Sequence, residues 1–432
     1  MDEITKGLFS FIEGSPTAFH AVENAAKALE TQGYLPLLES QPWDLRPGQG
    51  YYVTRNQSSL MAFRVPWRVE CVMAAAAHTD SPCLKLKENM ELRLEGYTKL
   101  DVEKYGGMLI HPWLDRPLSV AGRLMRSTAD GVASTLVNID RDLLVIPSLA
   151  IHMDRSVNDG KKWDAQIDLP PLLGKGDREL LPLLAAEAGA DPADILAFDL
   201  FVYNRDKGTT VGPEEEFILC PRLDDLQCAY GLLRGFLQAE AAEGTLPLLC
   251  LFDNEEIGSQ TRQGAMSTFL PDTLRRIFLC LGMTEAEYLR CVARSLMVSA
   301  DNAHGVHPNH PEKAALTNRP KPGEGVVIKF GPRYATDGPS AALMRQILTR
   351  AEVPEQTYFN HSNVPGGGTL GCLSGTQVSM HTVDIGLAQL AMHAACETAG
   401  TADTAYLIRA MAACFSAKLE ETAPETFTLT WN

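Results

Sequence analysis

The sequence predicts an α/β fold: a mostly parallel sheet with helices on both faces, interrupted by an inserted module that is mainly β. Two observations lead to it. Near both ends of the chain, apolar runs of strand length alternate with helical patterns, as in parallel sheets covered by helices. In between, the runs are short and broken by Gly, Pro and Asp. We therefore expect residues 1–88 and 216–432 to form one α/β domain into which residues 89–215 are inserted.

The first part of the α/β domain begins with a predicted helix. Ser15 is its expected cap, Pro16 suits its first turn, and Gly33 follows its end. Three strand-length runs come next, YYVTR, SLMAFRV and VECVMAAAA. The third is nearly all apolar, as a strand covered on both faces must be, and it ends at His78.

The inserted module begins with a strand in which apolar and charged residues alternate from Met90 to Glu95. Three further strand-length runs follow, PLSVAGRLM, STLVNID and LLVIP. Residues 158–199 are rich in Pro, Gly and Asp around one predicted helix, which indicates a long excursion within the module. The pattern as a whole is typical of a β-rich unit.

Strands and helices alternate again after Cys220, which predicts the second part of the α/β domain. A helix with Leu226, Leu233 and Leu237 on one face precedes the run LPLLCLFD. The runs SLMVSAD and VVIKF follow, then a helix after Pro339, the run QVSMHTVD and two closing helices. Because the same alternation of strands and helices occurs in residues 1–88, the two parts are expected to share one sheet.

Composition excludes several classes of protein. The 432 residues include 38 basic and 54 acidic side chains, so the net charge of 38 − 54 = −16 disfavours nucleic acid and anionic membranes as partners. No apolar run reaches the ~18–20 residues of a membrane span, and the acidic start does not resemble a signal peptide. Ten scattered cysteines without a CxxC pair indicate reduced packing residues. We expect a soluble, cytoplasmic protein.

Polar residues follow three of the predicted strands of the α/β domain. His78-Thr79-Asp80 follows the first, Asp253-Asn254-Glu255-Glu256 the second, and Asp301-Asn302-Ala303-His304 the third. Strand ends in one parallel sheet meet at the same edge, where ligands bind. Imidazole and carboxylate together favour a transition metal, and Asp224 and His393 are further candidate ligands.

Each of these residues also has an ordinary structural interpretation. A single His is more often a hydrogen-bonded residue than a ligand, and paired acids are more often solvated charges. Three coinciding strand ends favour the metal interpretation. Five ligands fit two ions that share a carboxylate, which polarise an amide carbonyl and lower the pKa of a bridging water. Glu255 beside Glu256 then supplies a base next to a ligand, and Asp80 can orient His78.

At these residues the sequence resembles the M18 metallopeptidase family, the aspartyl aminopeptidases. The resemblance spans the whole chain, in SPTAFHAV, AAHTDSP, LAIHMDRSVN, PRLDDL, DNEEIGS, SADNAHGVHPN and DIGLAQLAMH. It implies a metalloaminopeptidase with two Zn²⁺ per subunit, for which Mn or Co are possible substitutes. The implied substrate is a peptide with a free N-terminus, preferably one whose N-terminal residue is acidic. The implied assembly is a homo-oligomer whose inserted domain makes dimers, which assemble into a tetrahedral dodecamer.

The resemblance also assigns roles to individual residues. The implied metal ligands are His78, Asp224 as the bridge, Glu256, Asp301 and His393. The implied base is Glu255, with Asp80 as the orienting residue. His152 is expected to reach into the site of a neighbouring subunit. The acidic side chain of the substrate is expected to be read by Lys329, Tyr334 and His304.

The chain departs from the family pattern at positions close to these residues. Asn254 stands where His is usual, Asp225 where Asn is usual and Ala394 where Ser is common, and the glycine loop at 363–372 is altered. Substrate preference and metal identity therefore stay open, including an aminopeptidase with a non-acidic preference. The rival interpretation is a related dinuclear hydrolase, an N-acyl-amino-acid deacylase or a carboxypeptidase, which reads a free carboxylate instead of a free amine. A metal-free protein that kept only the fold would lack ligands, and all five are present.

Overall fold

The computed structural model describes residues 1–432. The helices in chain order are α1 Glu3–Glu13, α2 Ala18–Thr31, α3 Ala165–Asp168, α4 Leu181–Glu187, α5 Leu223–Gln238, α6 Phe269–Cys280, α7 Glu285–Ala293, α8 Gly338–Arg350, α9 Leu370–Gly375 and α10 Asp403–Ser416. None of them combines the length and the apolar character that crossing a bilayer requires.

The strands form a large sheet, a smaller sheet and a C-terminal hairpin. In chain order they are β1 Leu35–Leu37, β2 Gly50–Arg55, β3 Ser59–Arg64, β4 Cys71–His78, β5 Cys83–Leu94, β6 Tyr97–Tyr105, β7 Leu118–Thr128, β8 Gly131–Asn138, β9 Leu172–Lys175, β10 Ile195–Asn204, β11 Thr209–Val211, β12 Phe217–Cys220, β13 Thr245–Phe252, β14 Leu296–Ala300, β15 Ala303–His304, β16 Val326–Lys329, β17 Glu355–Tyr358, β18 His381–Leu390, β19 Glu397–Gly400, β20 Lys418–Ala423 and β21 Thr426–Thr430.

The large sheet contains thirteen strands and draws them from both ends of the chain. Its centre has the order β13-β4-β14-β18, and these four strands are parallel to one another. Antiparallel strands flank the centre, with β2 and β3 on one side and β19, β12 and β11 on the other. The predicted α/β fold with a mostly parallel sheet is confirmed.

Helices cover both faces of the large sheet, because the central strands bury alternate residues in opposite directions. Ala75 and Ala77 of β4 belong to a core formed with α2, α5, α8 and α10. Ala74 and Ala76 of the same strand belong to a second core formed with α6, α7 and α9. Successive side chains of a strand point to opposite faces, which explains why β4 is apolar throughout.

The smaller sheet is a separate antiparallel unit with its own core. Its six strands have the order β8-β7-β10-β5-β6-β9, and all of them lie between Cys83 and Asn204. Leu84, Leu124 and Val202 are fully buried in its core. The prediction of a mainly β module within the chain is confirmed, whereas its role in dimerisation stays a prediction.

The N-terminal region differs from the prediction. A helix that the sequence did not predict, α1, precedes the expected one; Asp2 caps it, and it buries Leu8 and Ile12. Ser15 does not cap α2, which begins at Ala18 after Thr17. The backbone N–H of Ser15 donates to Ile12 in the turn that ends α1, and its hydroxyl accepts from Asn24. Ser15 therefore belongs to the α1–α2 turn.

Three other local predictions were wrong. Only one closing helix exists, α10, because the segment after Asp384 continues as strand β18 to Leu390 and the chain ends in the β20–β21 hairpin. The run LLVIP makes isolated bridges only. The excursion at 158–199 contains two short helices, strand β9 and half of β10. Pairing with distant strands decided β18, β9 and β10, and local periodicity does not record such pairing.

Candidate metal centre

The carboxyl ends of three adjacent parallel strands bring the predicted polar residues together. In the sheet β4 lies between β13 and β14, and Phe252 at the end of β13 is directly opposite His78 at the end of β4. Asp301 follows the end of β14. The acid loop, defined as residues 253–256, follows β13. The convergence expected from the strand ends is therefore present in the structure.

Asp224 and His393 join this group from outside the strand ends. Asp224 lies in a kink at the start of α5, where its backbone angles are not helical. His393 lies in the turn after β18 with φ +66°, a left-handed conformation that few non-glycine residues adopt. Both side chains therefore enter the site from irregular backbone, which explains why periodicity could not place them.

The candidate ligands form two groups that share Asp224. The first group contains His78, Asp224, Asp225 and Asp301, and the second contains Asp224, Glu256 and His393; within each group the ligand atoms lie within 4.8 Å of one another. The Nε2 atom of His78 is 3.4 Å from Oδ1 of Asp224. The Nε2 atom of His393 is 3.5 Å from Oδ2 of Asp224. Each oxygen of Asp224 thus faces a different imidazole.

Unpaired buried oxygens show that these two groups fit metal ions. Asp224 Oδ1, Asp225 Oδ1 and Glu256 Oε1 are buried and have no hydrogen-bond partner. A buried charged oxygen without a partner is costly, and a bound cation removes that cost. Imidazole nitrogens and carboxylate oxygens are the donors that Zn²⁺ binds, so the chemistry of the set agrees with zinc.

The electrostatics of the site lead to the same conclusion. Burial raises the pKa of Glu256 and that of Asp225 far above the ordinary carboxyl range. Burial alone would lower the pKa of His393, but the neighbouring carboxylates of Asp224 and Glu256 raise it to about 10. The ionised forms of Glu256 and Asp225 are therefore unfavourable in the protein alone, and a bound cation would stabilise them.

Glu255 lies beside the first group without belonging to it. Its carboxylate, together with Glu256, is within 4.8 Å of His78. Burial and the nearby Asp301, Asp80 and Asp224 carboxylates raise its pKa to about 7, against the lowering effect of His78.

Asp80 contacts both His78 and the acid loop. The Nδ1 atom of His78 lies 2.9 Å from the backbone carbonyl of Asp80 and 3.5 Å from its carboxylate. The carboxylate of Asp80 accepts the backbone N–H groups of Glu255 and Glu256 at 3.1 and 3.2 Å. The contacts of Asp80 thus fix the ring of His78 mainly through the backbone, and the acid loop through the side chain.

Lys329, Tyr334 and His304 lie together on the Asp301 side of the centre. The ammonium of Lys329 is buried, donates to the backbone carbonyl of Asp301 at 2.7 Å and lies 3.4 Å from its carboxylate. It also lies 5.5 Å from the ring centroid of Tyr334. The rings of His304 and Tyr334 both pack edge-on against Tyr358. His152, by contrast, lies in an exposed turn of the segment between β8 and β9.

A cavity lies between the two sheets, next to the metal centre. It has a volume of about 540 Å³ and reaches Asp80 and Asp224. Phe19, Tyr105 and Phe201 form part of its wall. The residues predicted to read the substrate side chain do not line it.

Three residues that contact the centre were not found from the sequence. Tyr105 contacts Asp80, the backbone of Gly107 contacts His393, and the buried carboxylate of Glu397 accepts the backbone N–H of His393 at 2.7 Å. Tyr105 ends strand β6 of the smaller sheet and lies 25 residues from Asp80, and Gly107, just after that strand, lies 286 residues from His393. The pattern Tyr-Gly-Gly at 105–107 is the one local signal of this region.

Comparison with known proteins identifies the family. The family model described as aminopeptidase I zinc metalloprotease (M18) matches residues 11–415. The chain belongs to the M18 family. It is 40% identical over 414 residues to a probable M18 family aminopeptidase 2 of Clostridium novyi, covering 92% of this chain and 95% of that relative. This M18 chain is therefore a metalloaminopeptidase, a hydrolase.

Solved structures agree with the M18 assignment. The structure described as the Ape4 and Nbr1 complex has a TM-score of 0.92 at 34% identity, covering 95% of this chain and 85% of that chain. A dodecamer of mApe1 from Saccharomyces cerevisiae has a TM-score of 0.84 at 28% identity, covering 96% of each chain. The rival deacylase or carboxypeptidase interpretation is not favoured, because these relatives are M18 aminopeptidases.

Proposed function

We propose that this M18 member is a dinuclear zinc aminopeptidase that removes acidic residues from peptide N-termini. The observation that carries the proposal is the pair of ligand groups sharing Asp224, with three buried carboxylate oxygens that lack partners. In it, His78, Asp224 and Asp301 would hold one ion, and Asp224, Glu256 and His393 the other. Ions bound there would polarise the scissile carbonyl and lower the pKa of a water.

Glu255 is the base of the proposed reaction. It would accept the proton of the attacking water and deliver that proton to the leaving amine, so that a neutral amine departs. The hydrogen bonds from the Glu255 and Glu256 backbone to Asp80 keep the base and its neighbouring ligand in a fixed relation.

The preference for an acidic residue rests on Lys329. Burial would lower the pKa of Lys329, but Asp301 and its other neighbours raise it above the ordinary value, so the ammonium stays charged. A buried cation beside Asp301 and Tyr334 can pair with the side-chain carboxylate of a substrate. Tyr334 and His304 complete the aromatic wall of the proposed pocket.

A substrate panel tests this proposal. The zinc-loaded protein is assayed on aspartyl, glutamyl, alanyl and leucyl amides and on N-acetyl-aspartyl amide. We expect the two acidic amides to be hydrolysed fast and the two neutral amides slowly. We expect no hydrolysis of the acetylated amide. Equal rates on acidic and neutral amides would contradict the preference, and hydrolysis of the acetylated substrate would contradict the aminopeptidase reaction.

The proposed assembly is a homo-oligomer, with dimers made by residues 89–215 and joined into a tetrahedral dodecamer. The mApe1 structure, described as a dodecamer, supports this proposal. The segment around His152 also supports it, since Leu149, Ile151 and Met153 are 54%, 46% and 77% exposed. In such a dimer His152 would enter the site of the neighbouring subunit. The cytoplasmic location stays a prediction.

Mixed subunits test the role of His152. The H152A and E255Q variants are each expected to lose most activity. If His152 acts in its neighbour's site, dimers reassembled from a 1:1 mixture should regain about a quarter of parental activity, because half of them are mixed and contain one complete site. If it acts within its own subunit, the mixture stays inactive and the proposed role fails.

A further inference from the structure

Three consecutive residues at the end of strand β6 in the smaller sheet lie against three different residues of the metal centre. Tyr105 ends strand β6, and Gly106 and Gly107 follow it. We call residues 105–107 the YGG segment. Each of its members meets the centre by a different type of contact.

Gly107 fixes the imidazole of His393. Its backbone carbonyl lies 2.8 Å from Nδ1 of His393, so Nδ1 carries the proton and donates it. The other nitrogen, Nε2, is left to face Asp224 and Glu256. The backbone N–H of Leu109 donates to the carbonyl of His393 at 2.9 Å, which holds the same residue a second time. A carbonyl partner on one nitrogen is the usual means by which proteins set the tautomer of a metal-binding His.

Gly106 lets the chain approach Glu256 closely. Its φ is +75°, a conformation that side-chain-bearing residues rarely adopt, and an added Cβ would lie 3.1 Å from Cβ and 3.4 Å from Oε2 of Glu256. The backbone of the YGG segment therefore packs against a predicted metal ligand, and even a methyl group at position 106 would have to displace Glu256 by a few tenths of an ångström.

Tyr105 connects the smaller sheet to the acid loop. Its hydroxyl donates to Oδ2 of Asp80 at 2.7 Å and accepts from the amide of Asn254 at 2.8 Å. The ring is buried and packs edge-on against Phe201 of β10, with ring centroids 5.6 Å apart. The carboxylate that it contacts is the one that accepts both N–H groups of Glu255 and Glu256.

The amide of Asn254 is itself held in one orientation. Its Oδ1 accepts from the hydroxyl of Thr261 and from the amide of Gln263, each at 2.7 Å. The Nδ2 group is therefore the donor directed at Tyr105. This network joins a residue of the smaller sheet to the loop that contains the proposed base.

We infer that Tyr105, Gly106 and Gly107 are positioning residues of the metal centre, through which the smaller sheet fixes His393, Glu256 and the acid loop. The inference rests on the proposed function and deepens it. It makes the smaller sheet part of the site geometry within one subunit, whatever it does between subunits. Removing a contact of the YGG segment should change metal binding or turnover more than it changes folding.

The first test compares G106A with G96A. Gly96 has φ +77°, lies at the other end of β6 and has nothing within 4 Å of an added Cβ, so G96A carries the same backbone strain without the contact to Glu256. Zinc affinity is measured by equilibrium dialysis against a chelator, and thermal unfolding is followed in parallel. We expect G106A to bind one of its two ions about tenfold more weakly and G96A to bind both like the parent, with similar losses of Tm. Equal zinc affinity in the two variants would overturn the inference for Gly106 and its contact.

The second test compares Y105F with Y97F. Tyr97 begins the same strand and is 44% exposed, so Y97F removes a hydroxyl that has no partner in the metal centre. Y105F keeps the ring on Phe201 and is expected to retain both ions, with kcat about tenfold lower and KM within about twofold. Parental kcat in Y105F would overturn the role of its hydroxyl.

The zinc measurement separates this inference from the proposed function. If the parent hydrolyses none of the aminoacyl amides but G106A alone loses zinc affinity, the proposed function fails and the positioning role stands. If the parent is active and G106A and Y105F both match their controls, the positioning role fails and the proposed function stands.

Discussion

Asp224 and Glu397 are joined by a hydrogen bond in which the backbone N–H of Asp224 donates to the Glu397 carboxylate at 2.9 Å. The other oxygen of the same carboxylate accepts the backbone N–H of His393 at 2.7 Å. Glu397 is almost fully buried, so these bonds are shielded from water. The buried carboxylate of Glu397 therefore holds the backbone of Asp224 and of His393, both of which lie in irregular segments.

Replacement of Asp224 tests whether its carboxylate is shared by the two metal ions. D224A should lose both metal ions, because each ligand group loses the residue they have in common. Metal per chain is measured by mass spectrometry after dialysis, and D44A, which removes an exposed carboxylate, is the control. Retention of two ions per chain by D224A would contradict the bridging assignment.

Lys329 should govern substrate preference. K329M is expected to lower kcat/KM on aspartyl amides by an amount equivalent to about 2–5 kcal/mol, because the substrate carboxylate would then be buried without a partner. Alanyl and leucyl amides should be affected little. Because Lys329 also lies 3.4 Å from the Asp301 carboxylate, the difference between acidic and neutral substrates is the informative quantity. A loss that is equal on both, or absent on both, would contradict the assignment.

His20 gives a prediction on stability that is independent of the metal. Burial lowers its pKa to about 4 from an ordinary value of 6.5, and its Nδ1 lies 2.8 Å from the hydroxyl of Thr17. The unfolded chain therefore takes up a proton first as the pH falls, so the contribution is present above pH 6.5 and lost towards pH 4. That loss amounts to about 3 kcal/mol in the free energy of unfolding.

Urea unfolding of the parent and of H20N between pH 7 and pH 4 measures the contribution of His20. Asn keeps a polar partner for Thr17 but does not titrate in this range. As the pH falls, the free energy of unfolding of the parent should decrease relative to that of H20N. A difference that does not change with pH would show that the His20 pKa is not lowered in the folded state.

Much of the site could be predicted because strand ends in a parallel sheet obey a local rule. His78, the acid loop and Asp301 each follow an apolar run directly, and adjacency of the strands then brings them together. The parallel sheet itself could be predicted from the same runs, since β4 and β13 are buried on both faces.

The rest of the site depends on contacts between distant segments. Tyr105 and Asn254 are 149 residues apart, and Gly107 and His393 are 286 residues apart, so no local pattern relates them. Strand β18 was predicted to end near Asp384 because the following residues also suit a helix. At Gly386 an added Cβ would lie 2.0 Å from the carbonyl of Asp301, a close approach that the sequence alone does not reveal.

The most direct test of the central claim, a dinuclear centre with Glu255 as its base, is the metal content and turnover of E255Q compared with E256Q. The amide of E255Q keeps the shape of the side chain but cannot accept a proton, so two ions per chain and a kcat about 10²–10⁴-fold below the parent are expected. E256Q, which alters a ligand in the neighbouring position, should lose metal instead. Two bound ions with near-parental turnover in E255Q, or loss of metal from E255Q and not from E256Q, would contradict the account.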